Sequence, residues 1–496
     1  MRVIAGEAER APVIAFATLV TSLASLTMTV VIGLPLFAVS LVALVIGVIA
    51  ARHRKLLQWH SLLLGLLIVI LFIPISKYTL PTALPFQLEP YRVIVLAIVT
   101  AWGASLLVDP RVRLRRSGLE GPLILVTIAS VASVVANLKT ISELGIDQRV
   151  AKQFSYTLTF VLILFFIVST IRQFQHVHAL VRVLVLGGVV LAVLAVVENR
   201  TNYNPFDHLK SVLPFLAQIA YPVEGPRGGR FRATGSAQHA IALGALLALL
   251  IPLGIYLFKS TGRRRWLLAT SILGLGLFAT VSRTGIVMIL VEALTFLVLR
   301  PKETKRLWPF LLPCLVAIHI AVPGTLGALK DSFFPKGGIV AEQRGYKDSG
   351  RVGDLAPSLK QAAGKPLFGQ GLGTRIAVFD PYFPRLRPTG RILDDQWLAN
   401  LLEVGALGVL AWLWFFARVI RRLGKGAKED LSDRGWLLTC LAASITGFAI
   451  GMFFYDAFSF TQVTFVMFIL AGLGAVLLNN DDRHPSSSTV FRVART

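Results

Sequence analysis

Two adjacent carboxylates, Asp394 and Asp395, stand at the head of a long apolar run that reads QWLANLLEVGALGVL. A carboxylate near positive charge stays ionised and can accept a proton from a hydroxyl group as a general base. Aspartate is also a favoured helix N-cap, which gives one of the two acids an ordinary structural explanation. We therefore predict Asp394 as a catalytic base and Asp395 as a substrate-binding neighbour, with helix capping as the alternative for both. Glu403 follows on a similar helix face, deeper in the run, where structural pairing between helices is the role we predict.

Arginines from the predicted external loops and one helix junction accompany the acids. Arg283 is the only charge in the turn ATVSRTGIV, Arg232 precedes the run that begins in RATGSAQH, Arg351 lies in SGRVGD, and Arg391 shortly precedes the acid pair. Arginine is costly near hydrocarbon, and its planar guanidinium binds phosphate oxygens in pairs. Arginines from separate loops could thus converge on a diphosphate.

Each arginine also has a simpler interpretation. Arg227 and Arg230 lie in a glycine-rich loop, where solvent or lipid headgroups are sufficient partners, although Arg230 remains a candidate for substrate binding. Arg232 is open between the two roles, because it lies closer to the following apolar run. Arg283 must reach the interface, pair with a carboxylate or bind a ligand, and we predict the last. The glycines of GQGLG could offer backbone amides to an anion, but a simple turn explains them equally, and no phosphate-binding Gly-Lys-Ser/Thr sequence follows.

The elements that must hold these residues are membrane helices. The chain has 496 residues, 55% of them hydrophobic and 15% charged, with mean hydropathy +0.70, whereas soluble domains carry about 25% charged residues. Apolar runs close to the roughly 20 residues that span a bilayer recur along its length. They predict an all-α polytopic membrane protein of about 14 helices, or 12 to 14, since the first two runs touch. The runs are 13–29, 31–50, 57–76, 91–108, 119–136, 153–171, 179–198, 238–258, 266–281, 284–299, 307–323, 396–418, 436–455 and 458–478.

Basic loops set the orientation. If the helices alternate, all five fall on one side, and the positive-inside rule makes that side cytoplasmic, with both termini. The net charge of +24 is then a topology signal, and short dispersed basic runs argue against nucleic-acid binding. Two long connections, about 199–237 and 324–393, lie outside, the second between spans 11 and 12. We predict one membrane domain over 1–480 and a disordered cytoplasmic tail over 481–496. The basic loops are 52–55, 109–116, 259–265, 300–306 and 418–428.

Metal and disulfide chemistry find little support in the sequence. Cys314 and Cys440 both lie inside predicted spans, where they serve packing. The CxxC, HExxH and DxDxDG patterns do not occur, so we expect neither a metal site nor a cofactor.

Four motifs resemble the O-antigen ligase and polymerase superfamily of bacterial membrane glycosyltransferases. RATGSAQHAIALGALLAL is similar to the family's external Arg-x-x-Gly segment, and SRTG to its Ser-Arg turn between two spans. SGR followed by PLFGQGLGT resembles its Gly-Arg and Pro-Leu-x-Gly-x-Gly loop. LDDQWLANLLEVGALGVL resembles its helix start, which reads (His or Asp)-Asn-x-(aromatic)-Leu and then Glu-x-Gly-x-x-Gly. The motifs cover about 225–415, in the family's order.

The resemblance implies a fold and a reaction. The fold would be a GT-C-like helical bundle in the cytoplasmic (inner) membrane, with its active site on the outer face. The donor would be a glycan on a polyprenyl diphosphate, transferred without a metal or nucleotide sugar to a hydroxyl of a glycan, glycolipid or protein. Arg232 and Arg283 match the family's functional arginines, and Arg351 its Gly-Arg. Asp394 stands where ligases carry histidine and Asp395 where many members carry asparagine, which favours polymerase-like or protein-modifying members.

Two other classes of protein compete with this prediction. A transporter or flippase of lipid-linked sugars would show a repeat and charges at mid-membrane, but the charges of this chain gather externally and no convincing repeat occurs. A membrane scaffold would have no need of arginines at helix junctions.

Overall fold

The computed structural model describes residues 59–81, 88–108, 112–219, 231–305, 351–374 and 393–479, with the single positions 316 and 327. The predicted spans 13–29, 31–50 and 307–323 and the tail 481–496 lie outside these residues. Each of the other eleven predicted spans coincides with a helix. The helices are α1 Trp59–Phe72, α2 Pro90–Val108, α3 Glu120–Ala136, α4 Leu138–Leu144, α5 Asp147–Thr170, α6 Phe174–Thr201, α7 Leu209–Val212, α8 Ala240–Thr261, α9 Arg264–Ala279, α10 Arg283–Leu299, α11 Pro301–Lys305, α12 Arg351–Ala363, α13 Gln396–Glu429, α14 Asp433–Gly451 and α15 Thr461–Asn479.

The apolar helices identify an integral membrane protein. Among the described residues, six helices are long and apolar enough to cross a bilayer, or seven if the pair α3 and α4, bent by 65°, forms one span. The six are α5, α6, α8, α13, α14 and α15. Trp59–Phe72 and Pro90–Gly103 are shorter apolar helices, while α9 and α10 have 16 and 17 residues. The predicted total of about 14 spans stays a prediction.

The core forms around α8 and α15, which are buried over almost their whole length. Helix α8 packs against α6, α9, α10, α14 and α15, and α15 also packs against α5. Such all-round burial requires apolar residues on every face of a helix, which is how both sequences read. Apolar side chains of α1, α2, α6 and α10 face outward, as expected for helices in contact with lipid.

Glycines allow the closest approaches between helices. A Cβ at Gly244 in α8 would lie 3.0 Å from the Cβ of Ser282, and one at Gly285 in α10 would lie 3.2 Å from the carbonyl oxygen of Gly244. Small residues let helix backbones meet in this way in membrane proteins. The α8–α10 contact fixes the start of α10, where Arg283 is the first residue.

The bundle has two distinct ends. At the upper end α6, α9 and α14 finish and α8, α10, α13 and α15 begin; at the lower end the directions are opposite. Three 3₁₀ or extended pieces lie at the upper end: Pro205–His208, Ala457–Ser459, and an antiparallel pair of two-residue strands, β1 Tyr78–Thr79 and β2 Ala217–Gln218, with Tyr78 opposite Gln218. Within the described part of the chain this ladder is the one departure from an all-α fold.

Candidate functional site at the upper end of the bundle

The loop that carries Arg232 is tied down by a buried carboxylate. Glu198, in the last turn of α6, is 9% exposed. Its Oε2 accepts from the Gly235 amide at 2.8 Å, and its Oε1 accepts from the amide and hydroxyl of Thr234, both at 3.1 Å. Asn204 completes the cluster, because its Nδ2 lies 3.2 Å from Glu198 Oε1 and 3.0 Å from the carbonyl oxygen of Gly235. The RATG loop is therefore anchored directly after the arginine.

A second set of contacts joins this loop to the turn before Arg283. The amide of Ala233 donates to the carbonyl of Ala279 at 3.3 Å, and the Asn199 amide group donates to the same carbonyl at 3.1 Å and to Phe231 at 2.7 Å. Ala279 is the last residue of α9, four positions before Arg283. The structure thus brings together the two chain segments that carry the predicted diphosphate-binding arginines.

The SRTG turn itself has unusual backbone geometry. Val281 is fully buried and has a φ of 49°, a left-handed conformation that is an outlier for a β-branched residue. Ser282 then caps α10 by accepting from the Gly285 amide at 3.4 Å. Strain of this kind persists only where the surroundings enforce it, and it is concentrated at functional sites. Arg283 follows the strained residue directly and begins α10.

The two acids have different environments. Asp395 is the N-cap of α13, and its side chain accepts from the Leu398 amide at 3.0 Å. Asp394 lies one residue earlier, half-buried and outside the helix. The capping alternative therefore applies to Asp395, and the substrate-binding role of Asp395 and the catalytic role of Asp394 both stay predictions.

Helix α13 is broken where the sequence predicts one straight span over 396–418. Gly405 has φ 73° and ψ −170°, a conformation reserved for glycine. The rings of Trp397 and Phe416 are 5.9 Å apart, whereas nineteen positions along a straight helix separate residues by roughly 28 Å. The first segment of α13 therefore folds back on the second at Gly405. The run of apolar residues gives no sign of this reversal.

The break also relocates Glu403. The sequence predicts this residue deeper in the membrane than the acid pair, on the assumption of a straight helix that the break at Gly405 removes. Its carbonyl accepts from the Ser133 hydroxyl at 2.6 Å, in the last turn of α3 at the upper end.

The glycine loop GQGLG holds the break together. The amides of Gln370 and Gly371 donate to the carbonyls of Leu402 and Glu403 at 2.8 and 3.1 Å, and the Ala406 amide donates to Pro366 at 2.8 Å. Backbone that leaves a helix within a membrane needs such partners. These amides serve the protein's own carbonyls, so the structural interpretation of the loop is the one that fits. The nearby Lys365 ammonium donates to Asn137 Oδ1 at 2.6 Å.

The connection between α14 and α15, residues 452–460, contacts the segments that carry the acid pair, the SRTG turn and the RATG loop. The backbone amide of Gln396, beside the acid pair, donates to the Met452 carbonyl at 2.8 Å. The side-chain oxygen of Gln396 accepts from the Phe458 backbone amide at 2.8 Å. Thr284 beside Arg283 lies 3.4 Å from the Phe454 carbonyl.

At its far end the same connection meets the segment that follows RATG. Gln238 accepts from the Thr461 amide at 3.1 Å. The connection carries Asp456, whose Oδ2 accepts from the Ser459 hydroxyl at 2.7 Å. Burial raises the pKa of the Tyr455 phenol well above its usual range, so this side chain stays neutral.

Sequence reasoning did not single out Glu198, Asn204 or the connection that carries Asp456. Glu198 is an acid at the end of the apolar run 179–198, which is a signal for a functional or paired carboxylate. Its partners, however, come from two separate loops and are not evident from the sequence. Asp456 has the same kind of signal, an acid between two apolar runs.

Other predicted residues are described in part or not at all. Arg230 and Arg391 lie outside the described residues, and Arg351 is described only as the first backbone position of α12. Cys440 is buried in α14, in agreement with a packing role. Within the described residues no group of three or more His, Cys, Asp or Glu side chains could hold a metal ion.

A bundle of apolar helices with a polar cluster of loops at one end defines a polytopic membrane protein with a candidate site at one membrane face. Residues 268–413 match the family model described as O-antigen ligase. The predicted resemblance to the O-antigen ligase and polymerase superfamily is thereby confirmed over these residues. The match contains the SRTG turn, the GQGLG loop and the acid pair, while the RATG loop precedes it. No curated protein matches the chain.

Proposed function

We propose that this protein transfers a glycan from a polyprenyl diphosphate to an acceptor hydroxyl at the outer face of the cytoplasmic membrane. The observation that carries the proposal is the 3.3 Å hydrogen bond from Ala233 to Ala279, which joins the Arg232 and Arg283 segments. The family match, which contains the Arg283 segment but begins after the Arg232 segment, supports a ligase or polymerase role.

The reaction follows from the chemistry of the donor. The acceptor oxygen forms a bond to the anomeric carbon while the bond from that carbon to the diphosphate oxygen breaks. Asp394 takes the hydroxyl proton as general base. Arg232 and Arg283 stabilise the negative charge that develops on the leaving lipid diphosphate, with Arg351, Arg230 and Arg391 as further contacts.

Guanidinium groups supply this charge stabilisation without a metal, so we propose a metal-independent transferase. The acceptor is a glycan, glycolipid or protein hydroxyl. Asp394 and Asp395 in place of the histidine and asparagine of related ligases favour a polymerase-like or protein-modifying member.

Substitution of the arginines tests the proposal. We expect Arg283→Ala and Arg232→Ala each to lower turnover by about 10²–10³, the effect of removing one transition-state donor. Arg283→Lys should recover only part of the rate, because an ammonium cannot form two parallel hydrogen bonds. The measurement is the formation of glycan product from an undecaprenyl-diphosphate-linked oligosaccharide by the full chain in nanodiscs.

Arg265→Ala is the matched control, because Arg265 lies at the lower end beside Trp266, its guanidinium carbon 5.3 Å from the ring centre. Full activity in Arg283→Ala would contradict the assignment. Movement of the lipid-linked oligosaccharide across vesicle membranes, with no new glycosidic bond, would instead identify a flippase.

A further inference from the structure

Glu198 is surrounded by more hydrogen-bond donors than the single amide oxygen of a glutamine at this place could accept from. Four donors converge on its two oxygens: the Thr234 amide and hydroxyl, the Gly235 amide and the Asn204 side chain. A carboxylate offers about four acceptor positions and no donor, whereas a glutamine has one acceptor oxygen and an amino group that would oppose these donors. A buried carboxylate with this many donors is a rigid element.

The backbone on both sides of Arg232 is fixed as a result. On one side, the Phe231 carbonyl accepts from Asn199 at 2.7 Å, and Asn199 is the residue after Glu198. On the other side, Ala233 is bonded to Ala279 and the next two residues to Glu198. The end of α6 therefore holds the arginine's main chain against the end of α9.

We propose that Glu198 is a positioning residue that sets the place of the Arg232 guanidinium in the diphosphate site. The proposal rests on the function proposed above, since it takes the ligand of Arg232 to be a lipid diphosphate. Glu198 does not touch the ligand; it acts through the loop. A misplacement of a side chain on the order of 1 Å in such a site can lower the reaction rate by about a hundredfold.

The test is a double-mutant cycle on ligand binding by the full chain in nanodiscs. The ligand is undecaprenyl diphosphate, with undecaprenol as the probe that lacks phosphate. We expect Glu198→Gln to weaken diphosphate binding roughly tenfold to a hundredfold and to leave undecaprenol binding unchanged. If Glu198 acts through Arg232, the Glu198→Gln/Arg232→Ala variant should bind no more weakly than Arg232→Ala alone.

Glu120→Gln is the matched control for the loss of a loop-anchoring carboxylate. Glu120 begins α3 at the lower end, and its carboxylate accepts from the Ser117 hydroxyl at 3.0 Å and the Gly118 amide at 3.1 Å. It should lower the thermal unfolding temperature without changing diphosphate affinity. Asn204→Ala, which retains the carboxylate but removes one donor, provides a milder variant if Glu198→Gln folds poorly, and it should weaken diphosphate binding in the same direction.

The outcomes separate this inference from the function beneath it. If Arg232→Ala weakens binding but Glu198→Gln and Asn204→Ala bind normally, or if the effects of Glu198→Gln and Arg232→Ala add, the positioning role is wrong and the diphosphate site stands. If Arg232→Ala itself binds undecaprenyl diphosphate normally, both the site and the positioning role are wrong.

Discussion

At the scale of single residues, the acid pair divides into two roles. Asp395 has a structural role, because its carboxylate caps α13 by accepting from the Leu398 amide at 3.0 Å. Asp394 is half-buried next to it, at the start of the segment that packs on the α14–α15 connection. A general base must keep its carboxylate available for the acceptor hydroxyl, and Asp394, which is not the N-cap, is the acid that we propose for that role.

Asparagine substitutions distinguish these roles. Asp394→Asn removes the base and should lower turnover by about 10²–10⁴ with little change in stability. Asp395→Asn keeps a good N-cap and should leave stability nearly unchanged, whereas Asp395→Ala should cost about 0.5–2 kcal/mol of stability. Turnover and thermal unfolding, measured on all three variants, check the assignment. Near-normal turnover in Asp394→Asn would leave the base unidentified and make Asp456 the next acid to substitute.

The candidate residues were predictable where a charge stands alone in an apolar context, as Arg283 does. Glu198 and Asp456 carry a similar signal, but their importance depends on partners far away in the chain. Glu198 binds Thr234 and Gly235, and Asp456 lies on a connection that contacts Gln396 and Thr284. Spacing along a sequence does not report such contacts, so the arginines and acids were found and their supports were not.

At the scale of elements, the hydrophobic runs predicted where the described helices lie, because burial in lipid or protein requires apolar residues over the same length. Polar ends extend two of these helices: α5 begins six residues before its run and α13 ends eleven residues after its run. The sequence did not predict the break in α13, because the break depends on contacts with a partner segment that is distant in the chain. Gly405 departs from helical geometry while the GQGLG loop supplies hydrogen bonds to Leu402 and Glu403. The glycines that make this possible, Gly369 and Gly405, are 36 positions apart in the sequence.

Alanine substitution at the break tests its importance. A Cβ at Gly405 would collide with the Leu367 carbonyl and would force a side chain into a glycine-only conformation. We expect Gly405→Ala to destabilise the protein by at least about 1–3 kcal/mol. Gly424→Ala is the control on the same helix, because its Cβ would meet Leu299 at an ordinary 3.6 Å. Equal thermal stability of the two variants would mean that α13 tolerates a straight path.

At the scale of the whole molecule, the proposed site needs four chain segments at one membrane face, those that carry Arg232, Arg283, Arg351 and Asp394. Helix α10 finishes at the lower end, where Arg300 donates to the carbonyls of Ala427 and Asp430 at 2.7 and 2.6 Å. Helix α12 packs at the upper end, with Ala362 among Leu393, Leu398 and Leu402. Helices α11 and α12 thus lie at opposite ends of the bundle, and the predicted span 307–323 between them lies outside the described residues. The predicted orientation decides which end faces the cytoplasm.

Single-cysteine labelling determines that orientation. Val212 and Leu431 are suitable positions, because they are 74% and 78% exposed and lie near the upper and lower ends. In a variant whose Cys314 and Cys440 are replaced by alanine, a membrane-impermeant maleimide should label Val212→Cys in intact cells. Leu431→Cys should react only after permeabilisation, since the segment 418–428 beside it, which forms the last turns of α13 rather than the predicted loop, is basic and therefore expected inside. The reverse labelling would place Arg232, Arg283 and Asp394 on the cytoplasmic side and would contradict transfer at the outer face. Labelling of both cysteines in intact cells would show that the two connections share one side and that the alternation of spans is wrong.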